Sequence, residues 1–137
     1  MSSAVDRGMN RQGLDEAFAA QEAKKSGLLL EAQILRAEDR GEAAATLLAE
    51  AAHIEELLSE RCLAAELREK AWLHLVSAAG CWAQVGNFYR AISLCDDLLG
   101  QADLSVSLHR RIESYAHQLR ARRAQWYADL VLESAGK

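Results

Sequence analysis

The chain has 137 residues and a formal net charge of −4, which allow one domain with its own core and disfavour a general nucleic-acid binder. It contains no proline, and aromatic residues make up only 6% of it. No period-2 run of β-branched residues occurs, so the sequence predicts an all-α fold of about five antiparallel helices. No apolar stretch is long enough to span a bilayer.

The number and spacing of the cysteines indicate the redox state of the compartment in which the protein acts. Cys62, Cys81 and Cys95 are odd in number and form no CxxC pair, so we expect buried thiols in a reducing environment. The polar N-terminal segment lacks the apolar core of a signal peptide. A cytoplasmic location is the expectation.

The N-terminal third is predicted to contain a tail and then a helical pattern from Leu14. Residues 1–12 are small, polar and charged without periodicity, which predicts a disordered tail before a single helical domain at 13–137. Ser26-Gly27 interrupts this pattern and can end one helix and begin another. The first full helix is therefore predicted from about Leu28 to Asp39.

The middle of the chain is predicted to contain three helices. Gly41 marks the turn before the second helix, and Ser59 suits a cap that would end this helix near Leu58. The third helix then continues to Val85, and the fourth runs from about Phe88 to Leu99.

The third and fourth helices are predicted to form a hairpin around Gly86-Asn87. Apolar residues recur at helical spacing on both sides of this turn, and Gly86 is expected to have a positive φ. The apolar positions are Trp72, Leu75, Ala79 and Trp82 before the turn, and Ala91, Leu94, Cys95 and Leu98 after it.

The last helix is predicted to be the longest. Gly100 suits the C-cap of the fourth helix and Asp103 the N-cap of the fifth. An apolar stripe from Leu108 to Leu119 should pack on the fourth helix. Trp126 and Leu130 resume the stripe beyond the expected end of that neighbour, where a partner or another subunit would cover them.

The hairpin resembles a tetratricopeptide repeat. Its turn matches the Gly-Asp/Asn-aromatic turn of that family, although Asp103 stands where the family has a closing proline. The resemblance covers Leu30 to Leu58 weakly, and Ser107 onward would begin a third unit. The positions that match the motif are Leu75, Ala78, Ala79, Trp82, Gly86, Asn87, Phe88, Ala91, Cys95 and Leu98.

The resemblance implies a stack of helical hairpins that binds a protein or peptide in a groove lined by the first helix of each unit. Family members that hold a terminal carboxylate use Lys and Asn in that groove. Here the matching positions are Val76 and Gly80, so the resemblance does not imply such a clamp.

The C-terminal segment supplies the partner-binding candidates. Arginines concentrate after residue 101, and Arg110, Ser114 and His117 share one helical face that we expect to look into the groove. Such a face would attract an acidic peptide. A nucleic-acid-binding regulatory module, or a merely solvated arginine face, remains as an alternative. The full candidate set is Arg110, Ser114, His117, Arg122, Arg123, Trp126 and Leu130.

A metal or enzyme site is the other alternative. Glu50 and His53 form an ExxH motif, which di-iron bundles use twice, but the chain contains no second copy. No nucleophile motif and no glycine-rich phosphate loop occurs. We therefore expect a non-catalytic adaptor, scaffold or chaperone-like module that holds no metal or cofactor, binds proteins and self-associates.

Overall fold

A computed structural model describes residues 14–136 of the chain, and in this range five α-helices confirm the all-α prediction. The predicted disordered tail at 1–12 lies outside the described residues. Within residues 14–136, no helix is both long and apolar enough to cross a membrane. The helices are α1 (Glu16–Ala37), α2 (Gly41–Ala64), α3 (Arg68–Gln84), α4 (Phe88–Leu99) and α5 (Val106–Ala135).

The helices pack in chain order. Each one makes its extensive contacts with the helix before it and the helix after it, and in the described part of the chain α1 and α5 share no extensive contact. A second, smaller set of contacts joins α1 to α3, including the Phe18 and His74 rings and an Arg36–Gln84 hydrogen bond. The result is an open array of antiparallel helices rather than a closed bundle.

Three turns in the described residues share one backbone geometry. Asp39, Glu66 and Gly86 follow α1, α2 and α3, and their φ angles are 62°, 62° and 83°. At each turn the following N–H donates to the carbonyl five residues back, as in Arg40 to Leu35, which satisfies a carbonyl at the helix end. The positive φ predicted for Gly86 is confirmed.

The same position after each turn holds a buried alanine. Ala44, Ala71 and Ala91 lie five residues beyond the three left-handed residues, and each is fully buried. A methyl group at this position lets the incoming helix lie close to the preceding one. The turn and the alanine therefore set both the direction and the closeness of each new helix.

Two predicted helix boundaries were wrong. Ser26-Gly27 lies inside α1, because the partly buried Leu28 and Leu29 and the buried Ala32 pack against the core, which outweighs the cost of one glycine in a helix, about 1 kcal/mol. Helix α2 continues through Leu58 and Ser59, which are both buried, and ends at Ala64.

The predicted cap of the last helix was also wrong. Ser105 caps α5, and its hydroxyl accepts from the Leu108 N–H at 3.2 Å. Asp103 instead accepts a hydrogen bond from Arg68 at the start of α3. Gly100 does follow α4 as its C-cap, with an ordinary right-handed φ of −81°.

The core runs through all five helices. Ala79, Trp82, Ala91 and Leu98 are buried together as predicted, and Leu75 packs against them partly buried. The three cysteines are buried and free, which confirms the predicted buried thiols. Burial raises the pKa of Cys81 and of Cys95 to about 11, so both are protonated near neutral pH.

Candidate protein-binding surfaces

A groove of about 310 Å³ lies between α3 and α5. Val76 and Gly80, the two positions that the family resemblance assigns to a groove, form its α3 side. Leu108, Ile112, Arg111 and Tyr115 form its α5 side. Helix α5 begins at the Ser105 cap and packs mainly on α4, and it shares no extensive contact with α3 in the described residues, so these residues face α3 across a cleft.

The groove combines an apolar floor with a polar edge. Leu108 and Ile112 are buried, whereas the Arg111 side chain is exposed. The Tyr115 ring is partly buried, and this burial raises the pKa of its hydroxyl above its ordinary value. The hydroxyl is neutral near physiological pH, as for any tyrosine, and it can donate a hydrogen bond. An apolar side chain beside a carboxylate is the chemistry that such a lining accommodates.

Gly80 leaves the groove open. A Cβ atom built on Gly80 would meet only the Tyr115 hydroxyl within 4 Å, at 3.9 Å, which is an ordinary contact. A larger side chain at this position would therefore extend into the groove instead of clashing with the backbone. This gives a way to block the groove without disturbing the packing of the helices.

Arg110, Ser114 and His117 are all exposed, but they do not line this groove. The prediction that their face looks into the groove was wrong, because α5 turns Arg111 and Tyr115 toward α3. Their role in binding a partner stays a prediction.

The second surface is the C-terminal part of α5, residues 121–135, which we call the α5 extension; only its first turn lies against α4. The stripe on α5 is buried through Leu119 and then becomes exposed, as predicted. Trp126 is 49% exposed, Leu130 40% and Tyr127 56%, and the Trp126 and Tyr127 rings contact each other at 5.1 Å. Helix α4 has only 12 residues, so it cannot cover the 30 residues of α5.

Arg120, just before the α5 extension, and Arg122 and Arg123 at its base all lie against α4. The Nη2 atom of Arg120 donates to both carboxylate oxygens of Asp96, at 2.7 and 2.8 Å. The Arg122 guanidinium lies 5.4 Å from the centre of the Phe88 ring, and Arg123 lies in a shallow depression that includes Asp96. These contacts mark the last level at which α4 supports α5.

Glu50 and His53 are both engaged within the helix array. The Glu50 carboxylate lies 3.3 Å from the Lys24 ammonium, and the exposed His53 ring packs edge-on against Trp82 at 4.9 Å. Among residues 14–136 no group of three or more His, Cys, Asp or Glu side chains is arranged to hold a metal ion.

A polar cluster lies in the interior between α1, α2 and α3. Glu55 is only 2% exposed, and its carboxylate lies 2.9 Å from Nδ1 of the buried His74 and 3.6 Å from the Lys25 ammonium. A neighbouring carboxylate, Glu56, accepts from the Trp82 indole and from Arg90. Since each carboxylate has partners from other helices, these groups hold the array together.

Sequence reasoning missed Arg111 and Tyr115 as groove residues. Tyr115 was assigned to the apolar stripe, and Arg111 was passed over in favour of its neighbour Arg110. Arg111 lies three residues after Leu108 and Tyr115 three residues after Ile112, on the flank that faces α3. Tertiary packing decides which face of α5 lies toward α3, and helical spacing alone does not specify that face.

Comparison of the chain with protein-family models, with curated proteins and with solved structures found no match.

Proposed function

We propose that this protein is a non-catalytic protein-binding module, a short tetratricopeptide-like array that acts as an adaptor, scaffold or chaperone-like component. The observation that carries the proposal is the groove between α3 and α5, with its apolar floor and the Arg111 edge. In this assignment α1 with α2 and α3 with α4 form two hairpin units, and α5 is the first helix of a third.

The order of helix contacts supports this assignment. Each helix packs on its chain neighbours and α1 also contacts α3, which is the arrangement expected of stacked hairpins. In such a stack α3 and α5 are corresponding helices of successive units, and the groove lies between them. The ligand we propose is an extended acidic peptide with an apolar side chain that enters at Gly80.

The proposal also covers where the module acts and what else it binds. Buried, free thiols suit a reducing compartment, and we place the module in the cytoplasm. Arg110, Ser114 and His117 would contact a partner beside the groove. Arg122, Arg123, Trp126 and Leu130 form a second surface at the end of α5, which we assign to self-association.

The test uses a blocked groove and a matched control. Peptides are selected from a displayed random library against the wild-type protein, and their affinities are measured by fluorescence polarisation. Gly80→Leu should weaken binding at least tenfold by filling the groove, about 1.4 kcal/mol. Gly27→Leu makes the same change inside α1, where nothing described lies within 4 Å of the new Cβ, and should bind like the wild type.

The chemistry of the groove gives a second criterion. Arg111→Glu should weaken the binding of acidic peptides, because it replaces the cation at the edge of the groove with a carboxylate that repels theirs. Failure to enrich any peptide, or equal binding by Gly80→Leu and the wild type, would overturn the assignment of the groove. Enrichment of a nucleic acid instead of peptides from a mixed pool would favour the alternative use of the arginines.

A further inference from the structure

The α5 extension carries two sets of charges in a fixed order along its axis. Arg122 and Arg123 lie at its base, and Asp129 and Glu133 lie toward its tip. Trp126 follows both arginines, and Leu130 lies between Asp129 and Glu133. Basic residues therefore precede the exposed apolar pair, and the acidic residues flank its second member, Leu130.

These groups occupy one side of the helix. Trp126 lies seven residues after the buried Leu119, so it continues the face by which α5 packs on α4. Asp129 and Glu133 lie seven and eleven residues after Arg122, which places the three charges along one edge of that face. The α5 extension is thus an amphipathic helix with a polarised charged edge.

We infer that the α5 extension binds the α5 extension of a second copy of this chain in an antiparallel pair. An antiparallel pair brings the basic base of each helix to the acidic tip of the other. When Trp126 of one copy faces Leu130 of the other, Arg122 of the first lies within one residue, about 1.5 Å along the axis, of Glu133 of the second. The two-fold axis repeats this ion pair on the other side of the centre.

Other occupants fit this charge pattern less well. A parallel pair would place Arg122 and Arg123 against themselves, which is unfavourable for like charges. A nucleic acid or an anionic membrane would meet Asp129 and Glu133 beside Trp126. A partner must present both signs in reverse order along about 17 Å of helix, the axial distance from Arg122 to Glu133, and the chain itself provides that partner.

The inference deepens the proposed function by naming what covers the end of α5, and it rests on the self-association part of that function. The groove between α3 and α5 belongs to a different stretch of α5, residues 108–115. Each copy therefore keeps its groove, and a dimer would present two grooves. Such a pair could bind a partner that carries two peptide motifs more tightly than one groove alone.

The first measurement is the mass of the wild-type protein by sedimentation across a concentration series. Because the paired surface is small, we expect a reversible dimer with a dissociation constant on the order of micromolar. Trp126→Ala should remove the centre of the contact and give a monomer. The circular dichroism of this variant should match the wild type, since Trp126 lies beyond the packed core.

The decisive test reverses charges. Arg122→Glu and Glu133→Arg each turn two attractions into two repulsions, and each should weaken the dimer about tenfold or more. An equimolar mixture of the two variants restores both ion pairs in a heterodimer, and should recover the wild-type mass. Arg40→Glu and Glu31→Arg make the same charge changes at exposed positions outside the α5 extension, and should leave the dimer intact.

Several outcomes would overturn the inference. A wild-type protein that stays monomeric to about 100 μM contradicts it, as does a dimer that tolerates both charge reversals. Glu133→Arg is the cleaner variant, because Arg122 also contacts Phe88 within its own copy. A monomer that still binds selected peptides in the groove would refute the pairing and leave the groove function standing.

Discussion

The Nδ1 atom of His74 lies 2.9 Å from the Glu55 carboxylate in the interior between α2 and α3. Lys25 approaches the same carboxylate from α1 at 3.6 Å, so one buried acid joins three helices. Removing one member of this cluster should lower the free energy of unfolding, because the polar partners that remain have little access to water.

Glu55→Ala should lower the free energy of unfolding by roughly 3 kcal/mol or more, because it removes the acceptor shared by His74 and Lys25. Glu55→Gln keeps the shape of the side chain and one acceptor oxygen, so it should lower the free energy of unfolding by less than Glu55→Ala does. Urea denaturation monitored by circular dichroism gives both values. The control is Glu60→Ala at an exposed position of α2, and equal stability of Glu55→Ala and this control would refute the structural role of the cluster.

The three left-handed turns predict opposite effects for two substitutions. Gly86→Val forces a β-branched residue to a φ of 83° and should destabilise the fold by roughly 1–2 kcal/mol or more. Glu66→Gly relieves a non-glycine residue at 62° and should stabilise it by about 0.5–1 kcal/mol. Thermal melting of both variants measures the two effects. If the melting temperature moves in the same direction in both variants, the turn geometry is contradicted.

Ala79 tests the close approach of the helices in the hairpin. This residue is fully buried, and Ala79→Leu should cost roughly 1–3 kcal/mol because the added carbons have no space. Ser77→Leu adds a similar volume at an exposed position of the same helix and should be nearly neutral. Chemical denaturation distinguishes the two, and a neutral Ala79→Leu would mean that the hairpin is more loosely packed than the structure has it.

The buried thiols predict a loss of stability at alkaline pH. Burial raises the pKa of Cys81 and of Cys95 from about 9 to about 11, so between these values only the unfolded chain releases the protons. The unfolded state therefore binds fewer protons, and stability falls as the pH rises, by roughly 2–3 kcal/mol per thiol at pH 11. Denaturation curves between pH 8 and about 11 measure this fall.

A double variant supplies the control for the thiols. Cys81→Ala with Cys95→Ala removes both titrating groups and should flatten the decline over the same pH range. The variant will be less stable at neutral pH because two buried side chains become smaller. An undiminished decline would assign the alkaline effect to other groups, such as Tyr115, whose pKa burial also raises.

Truncation after Arg123 should leave the array folded. It keeps the buried Leu119, the Arg120–Asp96 ion pair and the Arg122–Phe88 contact, and the described residues that it removes, 124–136, are all exposed. Helical signal should fall in proportion to the residues lost, while the cooperative melting transition stays. Loss of that transition would show that the α5 extension belongs to the core.

Local signals in the sequence were enough for the fold class and for the best-marked hairpin. The absence of proline and of alternating β-branched runs predicted helices, and Gly86 marked a turn because only glycine adopts a positive φ without strain. The stripe from Leu108 to Leu119, followed by Trp126 and Leu130, indicated where burial would end. These features depend on the spacing of residues along one helix or on the backbone preference of one residue, so a short stretch of sequence is enough to indicate them.

The sequence failed where tertiary packing outweighed local preference. Glu66 turns the chain without a glycine because the helices on both sides bury Cys62 and Ala71, and Ser26-Gly27 stays helical because α1 packs on α2. The groove was likewise decided in three dimensions. Arg111 rather than Arg110 lines it, because the face of α5 that meets α3 depends on how both helices pack on α4, and helical spacing alone does not specify that rotation.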